Sequence, residues 1–272
     1  MRVALFGHGH MGRLHARHLA GHDVVVIDPP QGLEGDLAGI DAAIVASPTV
    51  THTAVALPLL ERGVPCLVEK PLAATLEEAR RLAAFPHLSV GHVERFNPTL
   101  DALQGVVPRF VQAERVGRWT PRGTDVDVIS DLMIHDLDLF LHLVGEPIVE
   151  VRANGTAIAT SGLDLAQARV ETRSGVVGAF TASRLAREAS RRWRVFAPGA
   201  YWSLDLRERK AARVGWADGL VEAPFVVPTR DPLGEEIASF LAAVRGEGPY
   251  RVPGPEAVAA LELAEAVRAA IR

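Results

Sequence analysis

Of the 29 basic side chains in this 272-residue chain only two are lysines, Lys70 and Lys210. Lys70 stands in Glu69-Lys70-Pro71, directly after the apolar run Pro65 to Val68. A chain that almost always writes Arg has kept a compact amine with a tunable pKa there, able to stabilise a developing negative charge or hold a proton. A surface salt bridge is the plainer alternative. Asp131 and His135 stand four apart in Asp131-Leu132-Met133-Ile134-His135, so on a helix they share one face, with Leu132, Leu137, Leu141 and Val144 packing the other side. Such a pair suits half a metal site, an ion pair on a helix surface, or a carboxylate–imidazole dyad. The helix alone favours the ion pair.

A third group is made of glycines. Gly7-His8-Gly9-His10-Met11-Gly12 follows an apolar run and opens a helical pattern, the context that a dinucleotide-binding G-x-G-x-x-G requires. The first Gly makes the tight turn, the second lets the backbone approach a pyrophosphate, and the third lets helix pack on strand. The helix N-terminus supplies amide donors and dipole for the phosphates. Asp28, 21 residues after Gly7, can accept hydrogen bonds from ribose hydroxyls. Pro29 and Pro30 follow it and no cation does, so a 2′-phosphate would meet negative charge and NAD is expected over NADP. His8 and His10 read as loop histidines beside a cofactor, and no metal is expected.

These residues need elements to position them. In the first hundred residues, Val3 to Phe6, Val24 to Ile27, Ala42 to Ala46, Cys66 to Val68 and Leu88 to Val93 read as strands, each too short for a helix. Helical patterns lie between them at Met11 to Ala20, Val50 to Arg62 and Thr75 to Ala84, the last opened by a capping box of Thr75 and Glu78. Strands alternating with helices predict a parallel, doubly wound sheet with its ligand-binding loops along one edge. From about Arg109 two-residue periodicity takes over, in Phe110 to Val116, Val149 to Ala153, Gln167 to Glu171, Val176 to Ser183, Trp193 to Phe196 and Tyr201 to Leu206. One helix is expected around Ile129 to Leu143 and another from Pro255 to Ile271. The predicted fold is α/β: an N-terminal Rossmann dinucleotide-binding domain over residues 1–108, then an α+β domain over 109–272 with an open, mainly antiparallel sheet that binds substrate and forms oligomers.

Composition limits the function classes. The chain is 48% hydrophobic and 23% charged, which suits a globular protein with a large core. A net charge of −4 gives no broad footprint for nucleic acid or an anionic membrane. The apolar run before Gly7 is too short for a signal-peptide core and no stretch reaches transmembrane length. A lone cysteine, Cys66, fits a reducing compartment. A cytoplasmic protein acting on a small molecule is expected.

The order of Gly7-x-Gly9-x-x-Gly12, Glu69-Lys70-Pro71 and Asp131-x-x-x-His135-x-x-Asp138 ending in Gly145 resembles the Gfo/Idh/MocA family across the whole chain. The resemblance implies an NAD(P)-dependent dehydrogenase acting on a CH–OH group, with Lys70 and His135 beside the reacting carbinol and Asp131 orienting the substrate or the imidazole. It places Gly7, Gly9, His10, Met11, Gly12, Asp28 and Glu69 at the cofactor, together with Ser47, Pro48, Thr49 and His52 near the nicotinamide ribose. Thr49 also reads as a helix cap, and the two roles can coexist. The segments Gly91 to Pro98, Asp131 to Asp138 and Thr181 to Arg184 are similar to the branch of UDP-N-acetylglucosamine 3-dehydrogenases. That implies Arg95, Asn97 and Arg184 as substrate-binding residues and oxidation of the 3-hydroxyl of a UDP-N-acetylhexosamine. Arg191, Arg192 and Arg194 suit a diphosphate, and equally a solvated strand. A free sugar, polyol or tetrapyrrole as substrate, and a non-catalytic dinucleotide-binding regulator, are the alternatives. In this family the bare sheet face commonly forms a dimer interface, so a homodimer or homotetramer is expected, with alternation putting some of Trp193, Phe196, Tyr201 and Trp202 on that outer face.

Overall fold

The computed structural model describes residues 1–28, 37–120, 126–216 and 219–271; Pro29 and Pro30 lie outside them. The chain divides into two compact units, Met1–Phe96 with Asp231–Ala259, and Asn97–Arg230 with Ala260–Arg272. In the first unit β1 (Arg2–Phe6), β2 (Asp23–Ile27), β3 (Ala42–Val45), β4 (Cys66–Glu69) and β5 (Leu88–Gly91) form a parallel sheet in the order β2-β1-β3-β4-β5. Between them run α1 (His10–His18), α2 (His52–Glu61) and α3 (Leu76–Ala83). β1, β3, β4 and β5 are apolar on both faces, as strands covered on both sides by helices must be. The order reverses between β1 and β3, and open sheets of this kind bind ligands outside the carboxyl ends of their strands at that point.

Helix α5 (Pro232–Val244) completes this core from far along the chain. Ile237, Phe240 and Leu241 pack with Val3, Leu5, Leu19, Ile44 and Leu67. Burying such a side chain stabilises by roughly 1.5–3 kcal/mol, so α5 belongs with the first unit even though it follows the second in sequence. Periodicity suggested a single cut between residues 108 and 109. It left α5 unread, although Asp231 at the N-cap and Pro232 at the first helical position are start signals.

The second unit holds an eight-stranded sheet in the order β13-β12-β11-β10-β6-β9-β8-β7. Its strands are β6 (Phe110–Val116), β7 (Ile148–Thr156), β8 (Leu165–Thr172), β9 (Val177–Ser183), β10 (Ser190–Ala197), β11 (Ala200–Asp205), β12 (Lys210–Trp216) and β13 (Leu220–Phe225). Every pairing is antiparallel except the parallel β6–β9. Strands β12 and β13 were not expected, and β13 is exposed throughout, so no apolar alternation marked it. On β6, Val111, Ala113 and Arg115 are buried while Gln112 and Glu114 face solvent, the alternation of a sheet covered on one face. The helix expected around Ile129 to Leu143 is a π-helical turn, Ile129–Met133, continued by α4 (Ile134–Val144). Gly145 ends α4 in the left-handed conformation at φ 63°. The last helix, α6 (Gly254–Ala270), begins in the first unit and ends in the second. Among the described residues no helix is long and apolar enough to cross a membrane.

Candidate functional site

In a parallel sheet all the carboxyl ends lie along one edge. Gly7 follows β1, Asp28 follows β2, Ser47 comes just after β3 and Lys70 follows β4. The glycine loop has the stereochemistry its sequence requires. Gly7 adopts φ +92°, and a Cβ there would stand 2.7 Å from the Ala46 carbonyl oxygen and the Ser47 nitrogen. A Cβ on Gly12 would fall 1.9 Å from the Gly7 oxygen. At Gly9 nothing lies within 4 Å of that position, so the backbone is open to a ligand. Helix α1 has Gly9 as its N-cap, with no side-chain cap and no acidic residue in its first turn, which leaves its amides and dipole to an anion.

Asp28 is held against this loop, its Oδ1 accepting a 3.0 Å hydrogen bond from the His8 amide. Gly7 to Met11, Asp28, the Ala46 to Pro48 turn and Thr51 line one open cleft of about 710 Å³. An uncapped helix, an unfilled space above Gly9 and a carboxylate at the end of β2 fit a dinucleotide: pyrophosphate over α1 and ribose at Asp28. Among the described residues no His, Cys, Asp and Glu cluster could hold a metal ion.

The other residues expected at the cofactor do different things. Thr49 opens a 3-10 turn and caps no helix; Thr51 precedes α2, and its hydroxyl contacts the Pro48 carbonyl and the Ser47 hydroxyl, both at 2.7 Å. His52 is buried, with Nε2 2.9 Å from the Ser47 oxygen and Nδ1 3.0 Å from the Pro71 oxygen, so its ring joins the loop after β3 to the segment after Lys70. Burial outweighs those contacts and holds its pKa below the ordinary value. Glu69 lies inside the unit, Oε1 2.7 Å from His15 Nε2 and Oε2 accepting from the Lys70 amide at 3.3 Å. Gly91 has no Cβ to displace it, since one would lie 3.0 Å from the Glu69 carboxyl carbon. Lys70 itself is half-buried.

In the first unit the sequence reading missed Glu236 on α5. Its carboxyl group is buried and neither oxygen meets a hydrogen-bond partner among the described residues. Burial first, and the charge of Glu69 second, push its pKa well above the ordinary carboxyl value, so it keeps its proton. An unread helix hid it.

In the second unit Asp131 lies in the π turn and His135 in the first turn of α4, both half-buried. In an α-helix residues four apart are about 40° out of line. A π turn holds more residues per turn, which brings such a pair closer to one azimuth. Both ends of the turn are tied down by side chains. Asp127 accepts from the Ile129 and Ser130 amides at 3.1 and 2.9 Å and from Arg268 Nε at 2.8 Å. Asp136 accepts from Arg115 Nε and Nη2 and from Trp193 Nε1, each at 2.9 Å. Hydrogen bonds and charge from Arg268 overcome burial and hold Asp127 below the usual carboxylate range.

The residues expected to bind substrate each make internal contacts. Arg95 is buried and its Nη1 meets Glu256 Oε2 at 2.7 Å within the first unit. Asn97 takes the Thr99 amide and hydroxyl on Oδ1 and donates to the Leu206 carbonyl at 2.9 Å. Arg184 donates to the Val126 carbonyl and lies 3.8 Å from Asp164. Arg192 and Arg194 are exposed on either side of buried Trp193. Trp193 reaches Asp136 on α4, so alternation puts both arginines on the opposite face of the sheet from the helix that carries His135. That makes the solvated-strand reading of this pair the better one.

Residues 28–86 match the profile of an oxidoreductase family with an NAD-binding Rossmann fold, and residues 101–199 match the Gfo/Idh/MocA C-terminal domain. The UDP-N-acetylglucosamine 3-dehydrogenase of Acidithiobacillus ferrooxidans is 35% identical to this chain, the likeness covering 100% of this chain and 97% of that one. A solved structure of the dehydrogenase of that name from the same organism superposes with a TM-score of 0.94, again over 100% and 97% of the two chains. Inositol 2-dehydrogenase 1 of Saccharopolyspora erythraea is 31% identical over 89% of this chain and 79% of its own. With both profiles matched in order along the chain and a full-length relative at 35% identity, the chain belongs to the Gfo/Idh/MocA family of NAD-dependent oxidoreductases acting on CH–OH groups.

Proposed function

We propose that the chain oxidises the 3-hydroxyl of a UDP-N-acetylhexosamine to the 3-keto sugar. The observation that carries this reading is the likeness to the Acidithiobacillus dehydrogenase, which covers 100% of this chain and 97% of that one. Bound NAD supplies the hydride acceptor. The hydroxyl proton must leave as hydride leaves, so a base near neutral pKa is needed, and His135 is of that type. The Lys70 ammonium hydrogen-bonds the developing alkoxide and stabilises it. Asp131, brought towards the azimuth of His135 by the π turn, orients the imidazole or the sugar.

The protein works as a homodimer or homotetramer in the cytoplasm, where nucleotide sugars and NAD are made. Supporting an oligomer, the sheet face away from α4 carries a row of rings: Phe110 and Phe196 at 6.1 Å, Phe196 stacked on Tyr201 at 5.2 Å, and Tyr201 and Trp216 at 6.2 Å. Trp193 is not among them, being buried on the helix side. Light scattering that returns a monomer at micromolar concentration overturns the oligomer.

The reaction is tested by absorbance at 340 nm with NAD and a panel of UDP-sugars, free sugars and polyols, with a ketone scavenger to pull the equilibrium. Reduction with UDP-N-acetylglucosamine and not with inositol supports the proposal. A polyol is the second reading, favoured by the inositol dehydrogenase likeness and by the placing of Arg192 and Arg194 away from the His135 helix. Turnover of inositol alone establishes it. Silence across the panel with clear NADH binding points to the non-catalytic regulator.

A further inference from the structure

Asp136 follows His135 and lies about 100° further round the helix. Its carboxylate is met by two strands at once: Arg115 from β6 in a two-pronged bond and Trp193 from β10, with all three distances at 2.9 Å. Arg115 pairs with Arg191 in the β6–β10 register, so Trp193 is its diagonal neighbour on the helix-facing side of the sheet. The ion pair is almost fully buried, with side chains 3% and 4% exposed. A buried ion pair gives little net stability over well-packed apolar side chains, because desolvation offsets the attraction. What it does give is direction. A planar fork from one strand and an N–H from another fix where a single carboxylate sits and how the helix is turned about its own axis.

The other end of the π turn is fixed in the same way. Arg268 Nη2 donates to Ser130 Oγ at 2.6 Å and Arg268 Nε to Asp127 at 2.8 Å. The wide turn between the two clamps is rare in proteins and sits where functional residues often need to be re-aimed.

We propose that the Arg115–Asp136–Trp193 cluster is a positioning device for His135, holding the rotation of α4 that sets the imidazole at the reacting hydroxyl. The role rests on the reaction proposed above, so its test needs a readout besides turnover.

Three apolar substitutions made together, Arg115→Met, Asp136→Leu and Trp193→Phe, remove the Arg115–Asp136 pair and the Trp193 hydrogen bond in one step. Trp193→Phe alone removes one hydrogen bond and keeps the ring. The measurements are kcat and KM for the sugar, NADH affinity by fluorescence, thermal melting, and the nitrogen-15 spectrum of the imidazole rings, with His135→Gln assigning the His135 signals. In the triple variant kcat is expected to fall about ten- to a hundred-fold, with KM and NADH affinity close to wild type, melting little changed, and the His135 ring signals displaced while those of His52 stay. Trp193→Phe is expected to move the same signals in the same direction by less. A folded triple variant with wild-type kcat and unmoved His135 signals overturns the proposal, as does a fall in kcat that only follows the loss of folded protein. If nothing in the panel reduces NAD, the reaction falls, and the ring spectra alone still decide whether the cluster sets the imidazole.

Discussion

The dinucleotide cleft and the His135 helix are built in opposite ways. The cleft is made of backbone: a turn of glycines, an uncapped helix end and one carboxylate held by an amide, all within the first 28 residues apart from the turn after β3. The His135 helix is aimed by side chains from afar, with Arg115 21 positions and Trp193 57 positions from Asp136, and Arg268 141 positions from Asp127. A site of backbone groups is specified by its own few residues. A site of aimed side chains is specified by whatever the fold brings against it. The two helices following glycine and threonine make the same point in small. Helix α1 leaves its first-turn amides to a ligand, whereas α3 has Thr75 Oγ1 accepting from the Glu78 amide at 3.2 Å.

The proposed reaction draws on Lys70 and His135, which gives the largest expected effects. Lys70→Ala and His135→Ala should each lower kcat by roughly two to four orders of magnitude with NADH affinity nearly intact. Steady-state kinetics beside a fluorescence titration checks this, and unchanged kcat in either variant removes that residue from the mechanism. Next, Asp136→Asn removes the carboxylate charge from the buried Arg115–Asp136 pair and should destabilise by about 3–5 kcal/mol. Chemical denaturation reads it, and a loss below about 1 kcal/mol would show that the cluster has little to hold.

In the cleft, Asp28→Ala should weaken NADH about ten-fold and narrow its advantage over NADPH, since a charge-assisted hydrogen bond is lost. Equal losses for both cofactors would mean that Asp28 does not read the ribose. Glu236 tests the buried interior around Glu69. Its folded pKa lies above its ordinary 4.5 because of burial and the nearby Glu69 charge. As pH rises past that ordinary value the unfolded chain gives up the proton and the folded chain keeps it, so this group lowers stability progressively until the folded pKa is reached. Glu236→Gln should flatten the decline of the melting temperature as pH rises above about 4.5; an unchanged slope would show Glu236 ionised in the fold. The smallest effect expected is at the capped helix, where Thr75→Ala should cost about 1 kcal/mol and leave both sites untouched.

Much of this was legible in the sequence. The alternation of short apolar runs with helical patterns predicted the five parallel strands, and the Thr75–Glu78 box predicted how α3 begins. Gly7, Gly9 and Gly12 told their roles because the reason for each is local: a positive φ, an open backbone, a close helix–strand contact. Two-residue periodicity predicted most of the second sheet. It did not show β13, whose residues all face solvent, nor the parallel pairing of β6 with β9, which joins strands separated by a helix and two further strands.

The candidate substrate residues show the limit from the other side. Arg95, Asn97 and Arg184 have the right types for binding a phosphorylated sugar, and the fold also gives each an internal partner, Glu256, the Leu206 carbonyl and the Val126 carbonyl, that no local pattern announced. A side chain's type says what it is able to bind, and its neighbours in the fold decide which internal contacts it makes.

The sequence by itself determined the class of cofactor and which side chains to propose as reacting groups, because a glycine loop, a lysine and a histidine carry their chemical properties with them. The tertiary structure decided the return of α5 to the first core, the π turn under Asp131 and His135, and the Arg115–Asp136–Trp193 clamp. Each of these depends on contacts between residues far apart in the chain, whose free energy exists only once the fold has closed the distance between them.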